Sequence, residues 1–331
     1  MRSAVLFFFA LPFSISLYSS SNKNFPYWIL LEKGRQFLYS KSEFSKSNLT
    51  HAINYLQEAL LRKGVYPEAS YYLSVAYGMS GNAILEKLNL YKSFEDRYYL
   101  LDESFEKKIL FSLAKMAELE NNYVDTIDYL NDILNKFSTK KDYYSYHDYS
   151  QGENSMSNNE LNASFYLTSY LKQVRGAFGI DFTFNLYRFK NYNVIDTHQL
   201  LSKVYLHLKA YELSITHGLI AAVGILTRMY DYVCYYEPVY QFKNLRSFVQ
   251  KINKYKAIKN AFESTDFWEI VYNVAAATYA YSNGNYKFRA IDTWKLVVDL
   301  APRFSPYIAK SRSQIKNSVY LKKIKFLNFD L

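Results

Sequence analysis

The chain has 331 residues, half of them apolar, with ten glycines, six prolines and a single cysteine. So few turn-forming residues argue against a turn-dense β architecture, and one cysteine excludes an intramolecular disulfide framework and any cysteine-cluster metal site. The formal charge of +10, from 40 basic and 30 acidic residues, is concentrated towards the C-terminal end.

The first element is a candidate export signal. Arg2 precedes the charge-free run AVLFFFALPFSISLY, and Ser19, Ser20 and Ser21 follow it. A basic start, a short apolar stretch and small residues predict a signal peptide over 1–21. The run is shorter than the roughly 20 residues that span a bilayer, and Pro12 interrupts it. An uncleaved membrane anchor is the alternative. Cys234 lies far from this segment, so no lipoprotein anchor is expected. No later segment reads as long and apolar enough to cross a membrane, and the expected location is the periplasm. Nucleic acid is not an expected partner there.

Residues 25–137 read as helical hairpins. YWILLEKGRQFLY predicts a first helix, the polar insert SKSEFSKSN interrupts, and HAINYLQEAL predicts a second helix with Ala52, Leu56 and Ala59 on one face. SYYLSVAYGMSGN, with Leu73, Ser74 and Tyr77, is another first helix. The small residue expected nine positions after Tyr77 is instead Glu86, so its second helix reads as broken or displaced. The next hairpin has Leu113, Ala114 and Ala117, then Thr126 nine residues on, then Leu130 and Ile133.

Residues 138–160 are polar and without apolar periodicity, which predicts a flexible loop. The stretch 161–192 reads as a bent helix or a small strand pair. C-terminal hairpins are then expected over 161–302, with insertions. One carries Leu201, Ser202 and Tyr205, then Ser214 nine residues on, Gly218 and Ala221. Residues 239–266 suggest a further helix pair without a motif. The last hairpin, around AYSNGNYKFRAIDTWKLVVDLAP, has Tyr281, then Ala290 nine residues on, Trp294 and Pro302. Over 303–331, Arg303, Lys310, Arg312, Lys316, Lys322, Lys323 and Lys325 face the single acid Asp330. This predicts a basic capping helix, with peripheral contact to anionic membrane as a second possibility.

The recurring nine-residue offset between a first-helix aromatic or small residue and a second-helix small residue resembles the tetratricopeptide repeat. That resemblance covers about half the mature chain. It implies an all-α fold, an α-solenoid of helical hairpins with irregular insertions, and a concave groove lined by first helices. Carried onto the matching copies, groove residues are Tyr71 and Val75, Phe111 and Lys115, Gln199 and Lys203, and Ala275 and Tyr279. Such a mixture suits an extended peptide or a partner helix.

No catalytic constellation emerges. There is no glycine-rich phosphate loop, no G-x-S-x-G elbow and no H-E-x-x-H. His198, His207 and His217 have poor ligand spacing and read as surface or packing residues. Asp96 with Asp102 and Glu103, and Glu118 with Glu120, read as solvated faces rather than acid/base pairs. Cys234 reads as a small hydrophobe. Asn48 and Asn162 begin formal glycosylation sequons, meaningful only in a eukaryotic secretory pathway. No catalytic residue, cofactor, metal or small-molecule substrate is expected. The expectation is a noncatalytic scaffold among other envelope proteins. The composition, with 35 tyrosines as an AT-rich genome would encode, and the signal peptide look like those of spirochaete periplasmic proteins, and the collar of the periplasmic flagellar motor is one assembly that such tetratricopeptide-like proteins help to build. The alternatives are an adaptor in envelope or outer-membrane protein assembly, and an all-helical enzyme acting on cell-wall glycan through a buried glutamate.

Overall fold

The computed structural model describes residues 25–39, 46–137, 192–281 and 287–327, with side chains in the last helix described as far as Ser318. The signal segment 1–21, the polar loop 138–160, the stretch 161–191 and the Asn283–Asn285 turn lie outside the described residues, as do the side chains of Lys322, Lys323 and Lys325. Among the described residues the structure is all-α, with thirteen α-helices, two short 3-10 turns and no strand. The chain divides into two compact units, 1–103 and 104–331. The division falls inside the stretch 25–137 that reads as one run of hairpins.

The first unit holds α1 (Tyr27–Leu38), α2 (Lys46–Lys63), α3 (Pro67–Met79) and α4 (Ala83–Glu95). They pair as α1/α2 and α3/α4, and α2 also packs on α3. Local chemistry sets the ends. Pro67 occupies the first turn of α3, where its missing N–H is no loss. The Asn82 side chain caps α4 by accepting from the Leu85 N–H at 3.1 Å. Ala52, Leu56 and Ala59 are fully buried, as the helical spacing predicts.

Glu86 did not break its hairpin. α4 runs intact, with Leu90 and Ser93 buried on its inner face. The Ser93 hydroxyl donates to the Pro67 carbonyl at 2.8 Å. The space for Glu86 comes from Gly78 opposite, where an added Cβ would stand 2.8 Å from the carboxylate. Large and small residues have exchanged sides of the crossing, which an expectation built on one side cannot detect.

The second unit holds α5 (Glu106–Leu119), α6 (Tyr123–Phe137), α7 (Tyr192–His207), α8 (Tyr211–Tyr236), α9 (Leu245–Lys254), α10 (Lys256–Glu263), α11 (Phe267–Tyr281), α12 (Lys287–Leu300) and α13 (Pro306–Leu327). Hairpins form as α5/α6, α7/α8 and α11/α12, with α13 packed on α12 and α11. The first helices also touch in succession, α5 to α7 and α7 to α11. Thr126, Ser214 and Ala290, the residues nine positions after Ala117, Tyr205 and Tyr281, are all fully buried. At one crossing the hydroxyls bond reciprocally: Ser202 Oγ donates to the Ser214 carbonyl at 2.7 Å, and Ser214 Oγ to the Ser202 carbonyl at 2.8 Å. Gly218 is fixed by the same closeness, because an added Cβ would stand 2.4 Å from Val274 Cγ2.

The hairpin turn itself repeats across the chain. Gly81, Asn121 and Lys209 each follow Tyr77, Ala117 or Tyr205 by four residues, and each has φ between 59° and 77°. The next residue's N–H then reaches back to the carbonyl of Tyr77, Ala117 or Tyr205, at 2.9, 2.8 and 2.9 Å respectively. This is a left-handed helix C-terminus, easiest for glycine and tolerable for asparagine. Lysine there is strained, so Lys209→Gly should raise stability by about 0.5–1 kcal/mol in urea unfolding. Gly81→Ala should lower it by a similar amount.

α8 departs from a repeat helix by its length of 26 residues. By length and composition it could cross a membrane, contrary to the expectation that no later segment could. Its most apolar window is nonetheless 61% buried inside the protein. The motif-free stretch explains that burial. Phe248, Val249 and Ile252 of α9 and Ile258 and Phe262 of α10 are buried in one cluster with Ile225, Leu226, Met229 and Val233 of α8. The insertion covers the part of α8 that extends past its hairpin.

Candidate functional site

Within the second unit an open cleft of about 350 Å³ runs diagonally across three first helices. From its middle to its C-terminal end, α5 contributes Phe111, Lys115, Glu118 and Leu119. The middle of α7 contributes Asp196, Gln199 and Lys203. The start of α11 contributes Asp266, Glu269, Ile270 and Asn273.

Four of the sequence-predicted groove residues, Phe111, Lys115, Gln199 and Lys203, meet in this cleft. Four predicted positions fall elsewhere. Tyr71 and Val75 belong to the first unit, where the Tyr71 ring packs edge-on against Tyr72 with centroids 5.4 Å apart. Ala275 is buried, and Tyr279 stands against Trp294, ring centroids 5.4 Å apart, with Lys287 over its face. The cleft reaches α11 about two turns nearer its N-terminus than the repeat pattern implies. Asp266 and Glu269 were missed for that reason, and Asp196 because it stands one turn before Gln199 on α7.

The polar groups divide into satisfied and unsatisfied ones. Lys203 Nζ lies 2.7 Å from Glu118 Oε1, and that bond, more than any other influence, raises the lysine's pKa. Gln199 Nε2 donates to Asp266 Oδ2 at 2.8 Å, and Glu269 accepts from the Tyr307 hydroxyl. Lys115 Nζ sits 4.8 Å from the centre of the Phe111 ring. Among the described residues nothing hydrogen-bonds or ion-pairs with Asp196. Although exposed, its carboxyl is crowded by protein, and this desolvation pushes its pKa up; Lys115 and Arg228 oppose the rise and Asp266 adds to it.

A second cluster lies under the α7/α8 crossing. His198 Nδ1 and His217 Nδ1 are 2.7 Å apart, and Tyr205 stacks on His217 with ring centroids 5.5 Å apart. His198 is buried. Burial holds both imidazoles below the usual histidine range, His217 at about 4. One Nδ1 must donate and the other accept, so the accepting ring is neutral, and burial favours the neutral form of the donating ring as well. His207, by contrast, is exposed and stacks on Tyr123.

The carboxylates singled out from sequence are otherwise employed: Glu118 is held by Lys203, and Asp102 and Glu103 face solvent. The buried glutamate is Glu68 in the first unit, whose Oε1 accepts from the Leu101 N–H at 2.8 Å and so ties down the 3-10 segment. Among the described residues no group of three or more His, Cys, Asp or Glu could hold a metal ion. Cys234 is half-buried.

No family model matches the chain. Fold and cleft together define an all-α protein of antiparallel helix pairs, in which successive first helices of one unit share an open, charged face.

Proposed function

We propose that this protein is a noncatalytic interaction scaffold of tetratricopeptide-like hairpins, exported to the bacterial envelope, whose cleft across α5, α7 and α11 holds a segment of a partner protein. The supporting observation is that Phe111, Lys115, Gln199 and Lys203, contributed by two successive first helices, line one open cleft with residues of a third. Shared faces of this kind are what stacked hairpin proteins use for binding. The repeated left-handed turn adds support for the repeat reading. The collar of the spirochaete periplasmic flagellar motor is the assembly this proposal names, and outer-membrane protein assembly is the competing one.

Affinity purification from the native host tests it, with the wild type beside a Phe111→Ala, Lys203→Glu variant. Stable partners should return with the wild type and fall at least about tenfold with the variant, as loss of an interface anchor does. Wild-type protein that returns alone sinks the scaffold reading. Equal recovery from the variant sinks the cleft. Flagellar proteins among the partners would favour the collar over outer-membrane assembly, and recovery in the cytoplasm on fractionation would refute export.

A further inference from the structure

The charges of the cleft state what kind of segment would fit it, an inference that rests on reading the cleft as a docking groove. Four carboxylates, Glu118, Asp196, Asp266 and Glu269, face two lysines. The charge of Lys203 is matched by Glu118 at 2.7 Å. Asp266 and Glu269 are bonded only by a neutral amide and a neutral phenol, which satisfy oxygens but leave the charge uncompensated. Among the described residues Asp196 has no bonded partner. Against these three acids stand Lys115 and, acting on Asp196 from α8, Arg228, one cation too few. The cleft therefore lacks positive charge.

Its apolar part lies alongside. Leu119, at the end of α5, is 80% exposed although it borders the cleft, and Phe111 is partly open beside it. Helix axes pack about 8–10 Å apart, so three first helices span about 20 Å, which about six residues of extended chain cover.

We propose that the cleft takes an extended segment of a partner protein carrying an arginine or lysine between aliphatic residues, the cation seated against Asp196 and the aliphatic side chains on Leu119 and Phe111. An acidic segment would bring a fifth negative charge among four carboxylates whose charge is already incompletely compensated. An all-apolar one would leave Asp196 covered and unpaired, which is costly. Arginine suits the site best, because its planar fork grips a carboxylate through two parallel hydrogen bonds.

The test uses the full chain and two synthetic probes, acetyl-Ala-Leu-Arg-Leu-Ala-Ala-amide and the same peptide with glutamate for arginine. Titration followed by NMR should show the arginine peptide binding at least about fivefold more tightly at low salt, the scale of a partly screened charge pair. Asp196→Asn, isosteric and on an exposed side chain, should erase that preference without changing the melting temperature. Lys115→Gln should increase it, a gain that mere structural damage would not produce. Equal affinity for both peptides, or a preference that survives Asp196→Asn, overturns the charge inference and leaves the groove standing. Failure of both peptides to bind at millimolar concentration overturns the groove reading as well.

Discussion

Trp294→Ala should destabilise the second unit by about 3–5 kcal/mol, the range for removing a buried tryptophan from a packed core. Trp294 is 1% exposed and is the largest fully buried side chain among the described residues. Besides it, α12 buries only Ala290 and Val297, so the helix depends on this one ring for most of its buried volume. Tyr279 packs against the indole at 5.4 Å and Tyr272 at 6.4 Å between centroids. Tyr272 also meets Tyr307 of α13 at 5.7 Å, so a cavity at Trp294 loosens α13 as well. Trp294→Phe should cost far less, on the order of 1 kcal/mol, because the ring stays apolar and the indole Nε1 has no hydrogen-bond partner among the described residues. Urea unfolding measures both, and hydrogen exchange should show α12 and α13 opening first in the alanine variant. A loss below about 1 kcal/mol for Trp294→Ala would mean that α12 is held by something other than this seam.

The hairpins were legible because close helix crossings constrain residue size. Thr126, Ser214 and Ala290 stand where two backbones approach, and only small residues fit there. Glu86 was misread because crossing size is a property of a pair, and Gly78 supplied the missing space from the other side. The helices α9 and α10 carried no repeat motif because they answer to a different demand, the cover of the long apolar α8. The cleft was half legible. Its position on first helices followed from the repeat resemblance, but its slant across α5, α7 and α11 depends on how far each helix is displaced along its axis, which residue spacing does not encode. Asp266 and Glu269 therefore escaped notice. The histidine pair escaped for want of one step. With Ser202 and Ser214 at the crossing, His198 lies one turn before and His217 one turn after, and in an antiparallel hairpin these positions meet.

That meeting gives the fold a pH dependence whose sign is fixed. Both imidazoles are neutral in the folded chain, with pKa values pushed below 6.5 by burial, and for His198 also by the charge His217 would carry. In the unfolded chain both return to about 6.5. Above pH 7 neither state binds these protons, and the pair contributes its full stability. As pH falls through about 6.5 the unfolded chain takes up protons that the folded one refuses, so stability drops. For His217 the fall continues to about pH 4, where the folded state begins to protonate, and amounts to about 3 kcal/mol in all. Between pH 7 and 5.5, before most carboxylates titrate, the two together should remove on the order of 2 kcal/mol. Replacing both with apolar residues, His198→Leu with His217→Phe, should cost less near neutral pH than His198→Leu alone, since both members of their mutual hydrogen bond are removed together. The same double variant should flatten the decline between pH 7 and 5.5. His198→Leu alone should instead cost about 1–3 kcal/mol at pH 7, because it leaves the Nδ1 of His217 without its partner. Urea unfolding at stepped pH separates these outcomes, and an undiminished decline in the double variant would show that the pair is not its source.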